Sequence, residues 1–190
     1  MADDKAFDWT QFHLGVYIRT RPEDVFRHWT TAHGLCRWFL RSAAFAPLVH
    51  PAEPAGKRAK TPLPAFDTLV PRADDESCQA GDRYRWEWYY NDGATGEDSI
   101  IDVRPPTKLV FGFGDKMTVE VTIRKQGTWS EVNLRQYDIP RTPAARWQIH
   151  MGCRTAWVFF LTNLKSVMEK GPDLREVERV RTKQMHLVNI

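Results

Sequence analysis

The sequence predicts an α+β protein in which a curved antiparallel sheet of six or seven strands wraps around one long C-terminal helix. Two short helices are expected after the first strand. The first observation behind this prediction is a period-two alternation of apolar and polar residues, which recurs in several short segments between residues 83 and 137. The second is a single amphipathic pattern near the C-terminus, about 27 residues or ~40 Å long. That helix alone is long enough to cover the apolar face of the sheet.

Length and composition fit one globular domain. The chain has 190 residues, of which 42% are hydrophobic and 12% aromatic. Domains usually run to ~100–200 residues, and this aromatic content excludes global disorder. The longest apolar run, Trp157 to Leu161, is far shorter than the ~18–20 residues of a membrane span. The first residues carry no export signal, so we expect a cytoplasmic protein without a membrane span.

Charge and cysteine usage exclude several kinds of partner. The net charge is only +3 on a mixed-sign background, which does not indicate nucleic-acid binding. Cys36, Cys78 and Cys153 are odd in number and far apart, so they predict free thiols rather than a disulfide framework or a thiolate zinc site. The six histidines lack ligand spacing, and we therefore expect no metal and no cofactor.

The N-terminal elements follow from local patterns. Alternation from Gln11 to Arg19 predicts the first strand. Pro22 suits the first turn of a helix, because its missing N–H would have no helical partner there. A second short helical segment is predicted for Ala32 to Phe39.

Residues 41–80 predict a long connection, because proline breaks helical and sheet hydrogen bonding. The segment also has larger apolar side chains, so we expect it to form a lid over one end of the sheet and helix. The basic cluster at Lys57 to Lys60 reads as a solvated loop tip, where limited proteolysis should cut first. The segment has six of the chain's twelve prolines: Pro47, Pro51, Pro54, Pro62, Pro64 and Pro71.

The strands from residue 83 onward form a predicted meander. Turn signals separate them at Asn91-Asp92-Gly93, at Gly114-Asp115 and at Gln126-Gly127. Alternation assigns the same inward face to these residues: Tyr84, Trp86, Trp88, Leu109, Phe111, Phe113, Val132, Leu134 and Gln136.

The last helix has its own start and stop signals. Thr142 is a suitable N-cap with Pro143 at the first helical position, and Gly171 with Pro172 is expected to end the helix. At 100° per residue, one face of this helix contains His150, Cys153, Trp157, Phe160, Leu161, Leu164, Val167 and Met168.

These patterns place a candidate ligand site between the sheet and the helix. Its aromatic residues either fill the interior or line an apolar pocket, and both interpretations remain open. Gln136 and His150 are predicted to face inward, where they either satisfy each other or a water molecule, or orient a ligand's polar group. The candidate pocket residues are Trp38, Phe39, Trp86, Trp88, Phe111, Phe113, Gln136, His150, Cys153, Trp157 and Phe160.

Catalytic signals are weak. The chain has no Gly-x-Ser-x-Gly elbow and no glycine-rich phosphate loop. Cys153 could be a nucleophile with His150 one helical turn away, but a small residue that packs the helix face explains it better. We therefore predict no catalytic residues and no enzyme activity.

Four stretches carry a resemblance to a known family. In order they are "RPEDVFRHWTT" with "GLCRWF", "GDRYRWEW", "IIDVRPPTKLVFGF" and "CRTAWVFFLTNLKSVMEKGPDLR". Together they resemble the START-like, or SRPBCC, helix-grip superfamily. Within it the chain is similar to bacterial relatives of the C-terminal domain of the heat-shock-protein-ninety ATPase activator. The resemblance implies one START-like domain over residues 1–175 with a pocket between sheet and helix, and it leaves residues 176–190 as an extra tail.

Three functions follow as hypotheses. The first is a START-like binding module for a small hydrophobic or amphipathic ligand. The second is a co-chaperone-like protein that binds a heat-shock chaperone ATPase, as the resemblance implies. The third is a cyclase- or hydratase-type enzyme of the kind found elsewhere in the superfamily, and it ranks last because no acid–base pair is evident.

Overall fold

The computed structural model describes residues 7–48, 64–90, 93–114, 116–178 and 181. Seven strands and the predicted helices are present. In chain order the elements are β1 (Phe12–Ile18), α1 (Pro22–Thr30), α2 (Ala32–Cys36), β2 (Ser42–Ala46), a 3-10 turn (Phe66–Thr68), β3 (Arg83–Glu87), β4 (Thr95–Arg104), β5 (Lys108–Phe113), β6 (Met117–Gln126), β7 (Trp129–Tyr137), α3 (Pro143–Ala145), a π-helical segment (Arg146–Met151) and α4 (Gly152–Met168).

All seven strands belong to one antiparallel sheet with the order β1-β7-β6-β5-β4-β3-β2. The first strand joins the last, so that Phe12 lies opposite Gln136 and Ile18 opposite Ser130. α1 and the C-terminal helix (residues 143–168) pack on the apolar face of this sheet and share one hydrophobic core with it. The predicted α+β helix-grip architecture is therefore confirmed.

One strand, β2, lies inside residues 41–80, which the sequence predicted as a long connection. β2 pairs with β3, and Phe45 lies opposite Tyr84. Its short alanine-rich sequence has too little alternation to be recognised from the pattern alone. The connection from residue 41 is thus partly an edge strand of the sheet.

The remaining described part of this segment is attached to the fold. Phe66 is buried, and the Arg72 guanidinium donates hydrogen bonds to both carboxylate oxygens of Asp82, at 2.6 and 3.0 Å. The backbone N–H of Cys78 donates to the carbonyl of Thr30 at 2.7 Å. Residues 49–63, with the Lys57 to Lys60 cluster, lie outside the described residues, so the lid and its first cleavage site stay predictions.

The C-terminal helix starts as predicted and ends differently. The Thr142 side chain accepts a hydrogen bond from the N–H of Ala145 at 3.2 Å, with Pro143 in the first turn. At the other end, Lys170 rather than Gly171 has the left-handed conformation, with φ 66°. Gly171 has a different role, because a Cβ there would lie 2.6 Å from Ser166 Oγ. The absence of a side chain lets its N–H reach the Ser166 carbonyl, at 2.7 Å.

The first helices agree with the pattern apart from one boundary. Val25 and Trp29 of α1 are both fully buried on its inner face. α2 ends at Cys36, short of the predicted Phe39, and Trp38 and Phe39 continue inward from a turn. The turn residues Gly93 and Gly127 have φ of 93° and 61°, whereas Asn91, Asp92 and Asp115 lie outside the described residues.

The described chain continues for a few residues after the helix. Arg175 is 9% exposed and donates to the carbonyls of Leu40 and Cys36, at 2.9 Å each. It also pairs with Asp173 at 2.6 Å. Most of the predicted tail, residues 176–190, lies outside the described residues.

Candidate functional site

A cavity of about 280 Å³ lies between the C-terminal helix and one end of the sheet. Four parts of the fold supply its walls. Phe39 follows α2, Trp88 and Tyr90 follow β3, and Phe113 ends β5. The helix completes the cavity with Gln148, Gly152, Cys153, Ala156, Trp157 and Phe160.

Aromatic rings form most of the wall. The Phe39 ring centroid lies 5.0 Å from that of Trp157 and 4.7 Å from that of Phe160, the latter pair in an edge-to-face arrangement. Phe113 lies 5.6 Å from Trp157 and 6.4 Å from Trp88. Ring pairs at these spacings hold one another in place, so the wall is preformed.

Three exposed residues of the helix form the cavity rim. Gln148, Gly152 and Ala156 follow one another at intervals of four residues and are all exposed. A Cβ added at Gly152 would meet nothing within 4 Å. The small residues of this row, Gly152 and Ala156, keep the cavity in contact with solvent along the helix.

Beside the cavity, other aromatic rings form a filled core. Trp29 and Trp38 pack edge to face at 4.6 Å, and Tyr84 stacks on Trp86 at 4.0 Å. The Trp86 ring lies 5.1 Å from that of Phe111. Of the predicted pocket residues, Trp38, Trp86 and Phe111 thus belong to this filled core. Phe39, Trp88, Phe113, Cys153, Trp157 and Phe160 line the cavity. The sequence left open whether the inward rings fill the interior or line a pocket. Each interpretation holds for a different set of these rings.

Gln136 is fully buried and joins the sheet to the helix. Its Oε1 accepts a hydrogen bond from Trp157 Nε1 at 2.9 Å, and its Nε2 donates to Met117 Sδ at 3.3 Å. Both ends of the amide therefore have protein partners. This agrees with the alternative in which an inward polar residue is satisfied inside the protein rather than by a ligand.

His150 lies elsewhere. Its ring is fully buried against Phe7, Trp9 and Phe12, and Nδ1 lies 3.0 Å from the Trp9 carbonyl. The inward stripe had suggested that His150 lines the cavity and could bond Gln136, but His150 does not line it, and no hydrogen bond joins the two side chains in the described part of the chain. The stripe was drawn at 100° per residue, whereas His150 lies in a π-helical segment, where each turn takes more residues.

Four cavity residues were missed by the sequence patterns. Tyr90 continues the alternation of Tyr84, Trp86 and Trp88 beyond the end of the strand, and extending that alternation by one step would have found it. Gln148, Gly152 and Ala156 share a helical row one position beside the predicted stripe. Their small or polar side chains gave no apolar signal.

The cavity wall has no formally charged side chain. Burial raises the pKa of the Cys153 thiol above its usual value, and a hydrogen bond with Gln136 opposes this rise only in part. Burial also raises the pKa of the Tyr90 phenol. Both groups are therefore neutral at pH 7. Across the described ranges there is no cluster of three or more His, Cys, Asp or Glu residues that could hold a metal.

The structure also bears on membranes. Among the helices of the described chain, none combines the length and the apolar character that crossing a bilayer requires.

Comparisons with known proteins agree on the fold. Residues 19–169 match the family model described as "Activator of Hsp90 ATPase homolog 1-like protein". Similar solved structures include the Aha1 dimer from Colwellia psychrerythraea, with 14% identity, 85% of this chain and 97% of that chain covered, and a TM-score of 0.57. A protein from Arthrobacter aurescens has 12% identity, 95% coverage of both chains and a TM-score of 0.58. A protein from Staphylococcus saprophyticus has 13% identity, 87% and 96% coverage, and a TM-score of 0.57. No curated protein matches the sequence.

Proposed function

The chain belongs to the activator of Hsp90 ATPase homolog 1-like family, and within that family we propose that it is a START-like module whose cavity binds a small, uncharged, aromatic ligand. The observation that carries this proposal is the cavity wall itself. Six aromatic residues, one of them Tyr90, surround about 280 Å³ of space, and no charged side chain lines it.

Size and chemistry restrict the ligand class. The cavity is slightly smaller than the ~300–1,000 Å³ that small-molecule sites usually occupy, so the ligand must be small. Planar rings fit between aromatic walls in stacked or edge-to-face arrangements. A carboxylate or ammonium group buried here would have no counter-charge, which is costly, so a neutral ligand is favoured. The Gln148 amide, the Tyr90 hydroxyl and the Cys153 thiol are the available polar contacts.

Binding is proposed rather than catalysis. The two lining groups that could transfer a proton, Tyr90 and Cys153, both have raised pKa values. A useful general acid or base has a pKa near the working pH. The three free cysteines suit a reducing compartment, and we propose that the protein is cytoplasmic.

A matched pair of fluorescent probes tests the proposal. N-phenyl-1-naphthylamine is neutral, and 8-anilino-1-naphthalenesulfonate has the same rings with an added sulfonate. We expect saturable fluorescence enhancement with the neutral probe and much weaker enhancement with the sulfonate. Ala156→Phe, which projects into the cavity, should abolish the neutral probe's signal, whereas Thr162→Phe on the exposed side of α4 should not. Equal binding of both probes, or binding that Ala156→Phe leaves unchanged, would refute the proposal.

Native mass spectrometry gives an independent measurement. A bound small molecule that copurifies with the wild type and is absent from Ala156→Phe would support the same site. A wild-type protein that carries no ligand after gentle purification weakens the case and leaves the probe titration to decide.

Binding to a chaperone ATPase is a second candidate function. It is supported by the family match, whose description names an activator of the Hsp90 ATPase. A pull-down of this chain with purified Hsp90-type chaperone tests it. Retention in the Ala156→Phe variant would separate chaperone binding from cavity binding.

A further inference from the structure

The C-terminal helix presents a second surface on its outward side. Trp147 is 71% exposed, Met151 40% and Val158 44%, and Arg154 is exposed between them. We call these four residues the outer row. All four are exposed and are separated by three or four residues, so they lie on the solvent side of the helix; Trp147 and Met151 belong to its π-helical segment.

The outer row adjoins the cavity rim. Met151 of the outer row lies three residues after Gln148, which lines the cavity, and residues three apart on a helix are neighbours. A surface that contacts the outer row at Met151 would therefore lie beside this end of the cavity rim.

Positive charge is concentrated around this row. Residues 139–168 contain Arg141, Arg146, Arg154 and Lys165 but no Asp or Glu. The chain has 27 basic and 24 acidic residues, so the remainder has 23 basic and 24 acidic and is close to neutral. Charge complementarity thus points to an anionic partner for this helix.

Two of the four cations have no acidic neighbour in the described structure. Lys165 pairs with Glu169 at 2.7 Å, and the charge of Arg141 helps to lower the pKa of Asp8. Arg146 lies over the Trp9 ring at 5.7 Å. No described acidic residue lies within ion-pair distance of Arg146 or Arg154. Their charges are therefore available to an external anion.

We propose that the outer row, together with Arg146, docks on an anionic lipid surface. Exposed tryptophan is favoured at the boundary between lipid headgroups and acyl chains. Methionine and valine add apolar area, and each nearby arginine strengthens attraction to anionic lipid by roughly fivefold.

The shape of the surface favours lipid over a protein partner. A stable protein interface usually covers ~800 Å² and about 20–30 residues on each side. The outer row is one line of side chains on a convex helix, which suits shallow insertion between headgroups. Docking would bring the cavity entrance against the phase in which an apolar ligand dissolves. The proposal does not depend on the cavity holding a ligand.

Vesicle sedimentation with the full chain tests this. We expect binding to vesicles of phosphatidylcholine mixed with phosphatidylglycerol, at least tenfold weaker binding to pure phosphatidylcholine, and loss of binding at high salt. The double variant Arg146→Gln/Arg154→Gln should weaken binding roughly twentyfold or more. Trp147→Ser should weaken it several-fold. Brominated phosphatidylcholine should quench wild-type tryptophan fluorescence, and Trp147→Phe should lose most of this quenching.

Matched controls address other surfaces. Arg124→Gln/Lys125→Gln removes two exposed cations from the end of β6, and Tyr17→Ser removes a side chain of β1 that is 53% exposed. Both controls should bind vesicles as the wild type does. Absence of binding at low salt, equal binding to both vesicle types, or wild-type binding by the outer-row variants would overturn the proposal. Binding of N-phenyl-1-naphthylamine without any vesicle binding would overturn docking alone and leave the cavity function intact.

Discussion

Trp157 Nε1 donates a hydrogen bond to Gln136 Oε1 at 2.9 Å, and this bond joins α4 to β7 inside the protein. Trp157 is 2% exposed and Gln136 is fully buried. The same indole ring forms part of the cavity wall. One residue thus connects the helix to the sheet and shapes the candidate binding site.

Removing this indole should be costly. Truncating a side chain that only borders open space would lower the free energy of unfolding by little more than the transfer free energy of that side chain, ~2–3 kcal/mol. Trp157→Ala also leaves Gln136 Oε1 without its donor, so we expect a loss of about 3–5 kcal/mol in the free energy of unfolding. Urea denaturation with an unchanged m-value measures this.

The double variant Trp157→Phe/Gln136→Met separates the two contributions. Trp157→Phe alone leaves a buried acceptor unpaired, which costs ~1–3 kcal/mol. Replacing both partners should recover part of that loss. If the double variant is no more stable than Trp157→Phe, the hydrogen bond is not the cause.

Gly152→Ala should stabilise the protein and impair the cavity. Gly152 has helical dihedral angles, φ −63° and ψ −53°, and open space around its missing Cβ. Alanine in a helix is favoured over glycine by ~1 kcal/mol. We therefore expect a higher melting temperature together with weaker binding of N-phenyl-1-naphthylamine, because the methyl group lies at the cavity rim. Calorimetry and a probe titration on the same preparation check both effects. A destabilised variant would show that the rim is tighter than described.

Cys153 should react slowly with alkylating reagents at neutral pH. Burial raises its pKa above the usual 9.0, so the reactive thiolate forms only in alkaline solution. The rate of iodoacetamide labelling, followed by peptide mass spectrometry, should rise as the pH passes 9, and N-phenyl-1-naphthylamine should slow it. Cys153→Ser identifies the labelled peptide. Fast labelling at pH 7 would mean that the thiol is activated.

Asp173 should contribute stability that acid removes. Its partial burial alone would raise the pKa, but hydrogen bonds and charge from Arg175, with a bond from Asn163, outweigh burial and lower it below 3.8. A depressed folded-state pKa stabilises the protein above the unfolded-state pKa, and that stability is lost as pH falls through the folded-state value. Asp173→Asn should therefore be less stable than the wild type at pH 7, and the two should converge below pH 3.8.

The exposed pair of Asp67 and Arg85 provides the control. Its hydrogen bond and charge lower the pKa of Asp67 as well, yet the carboxylate is in solvent. Exposed pairs contribute little, so Asp67→Asn should leave the unfolding curve nearly unchanged at both pH values. A loss equal to that of Asp173→Asn would contradict the special role of Arg175.

The regular elements could be predicted because their patterns are local. Alternation in β1, β3 and β7 placed Phe12, Trp86 and Leu134 inward, and each is buried. β2 escaped prediction because alanines dominate it and its pairing with β3 spans many intervening residues.

The candidate site was only partly predictable. Phe39 and Trp157 were identified because large inward rings give a strong periodic signal. The sequence could not show which rings fill space and which leave it empty, since that depends on how facing side chains interdigitate. Nor could it show the π-helical segment, which carries His150 towards Trp9 and leaves Gln148 on the rim.

The position of β1 has a consequence for biosynthesis. β1 leaves the ribosome before the other strands of this sheet, but among the described strands it pairs with β7 alone, and Phe12 lies opposite Gln136. At ~5–20 residues per second, synthesis of the intervening chain takes roughly 6–25 s. During that interval β1 is an unpaired strand with an apolar side, open to premature association. Local pairs close with the smallest entropic cost, so we expect β3 to β6 to form a meander before β1 finds its place beside β7.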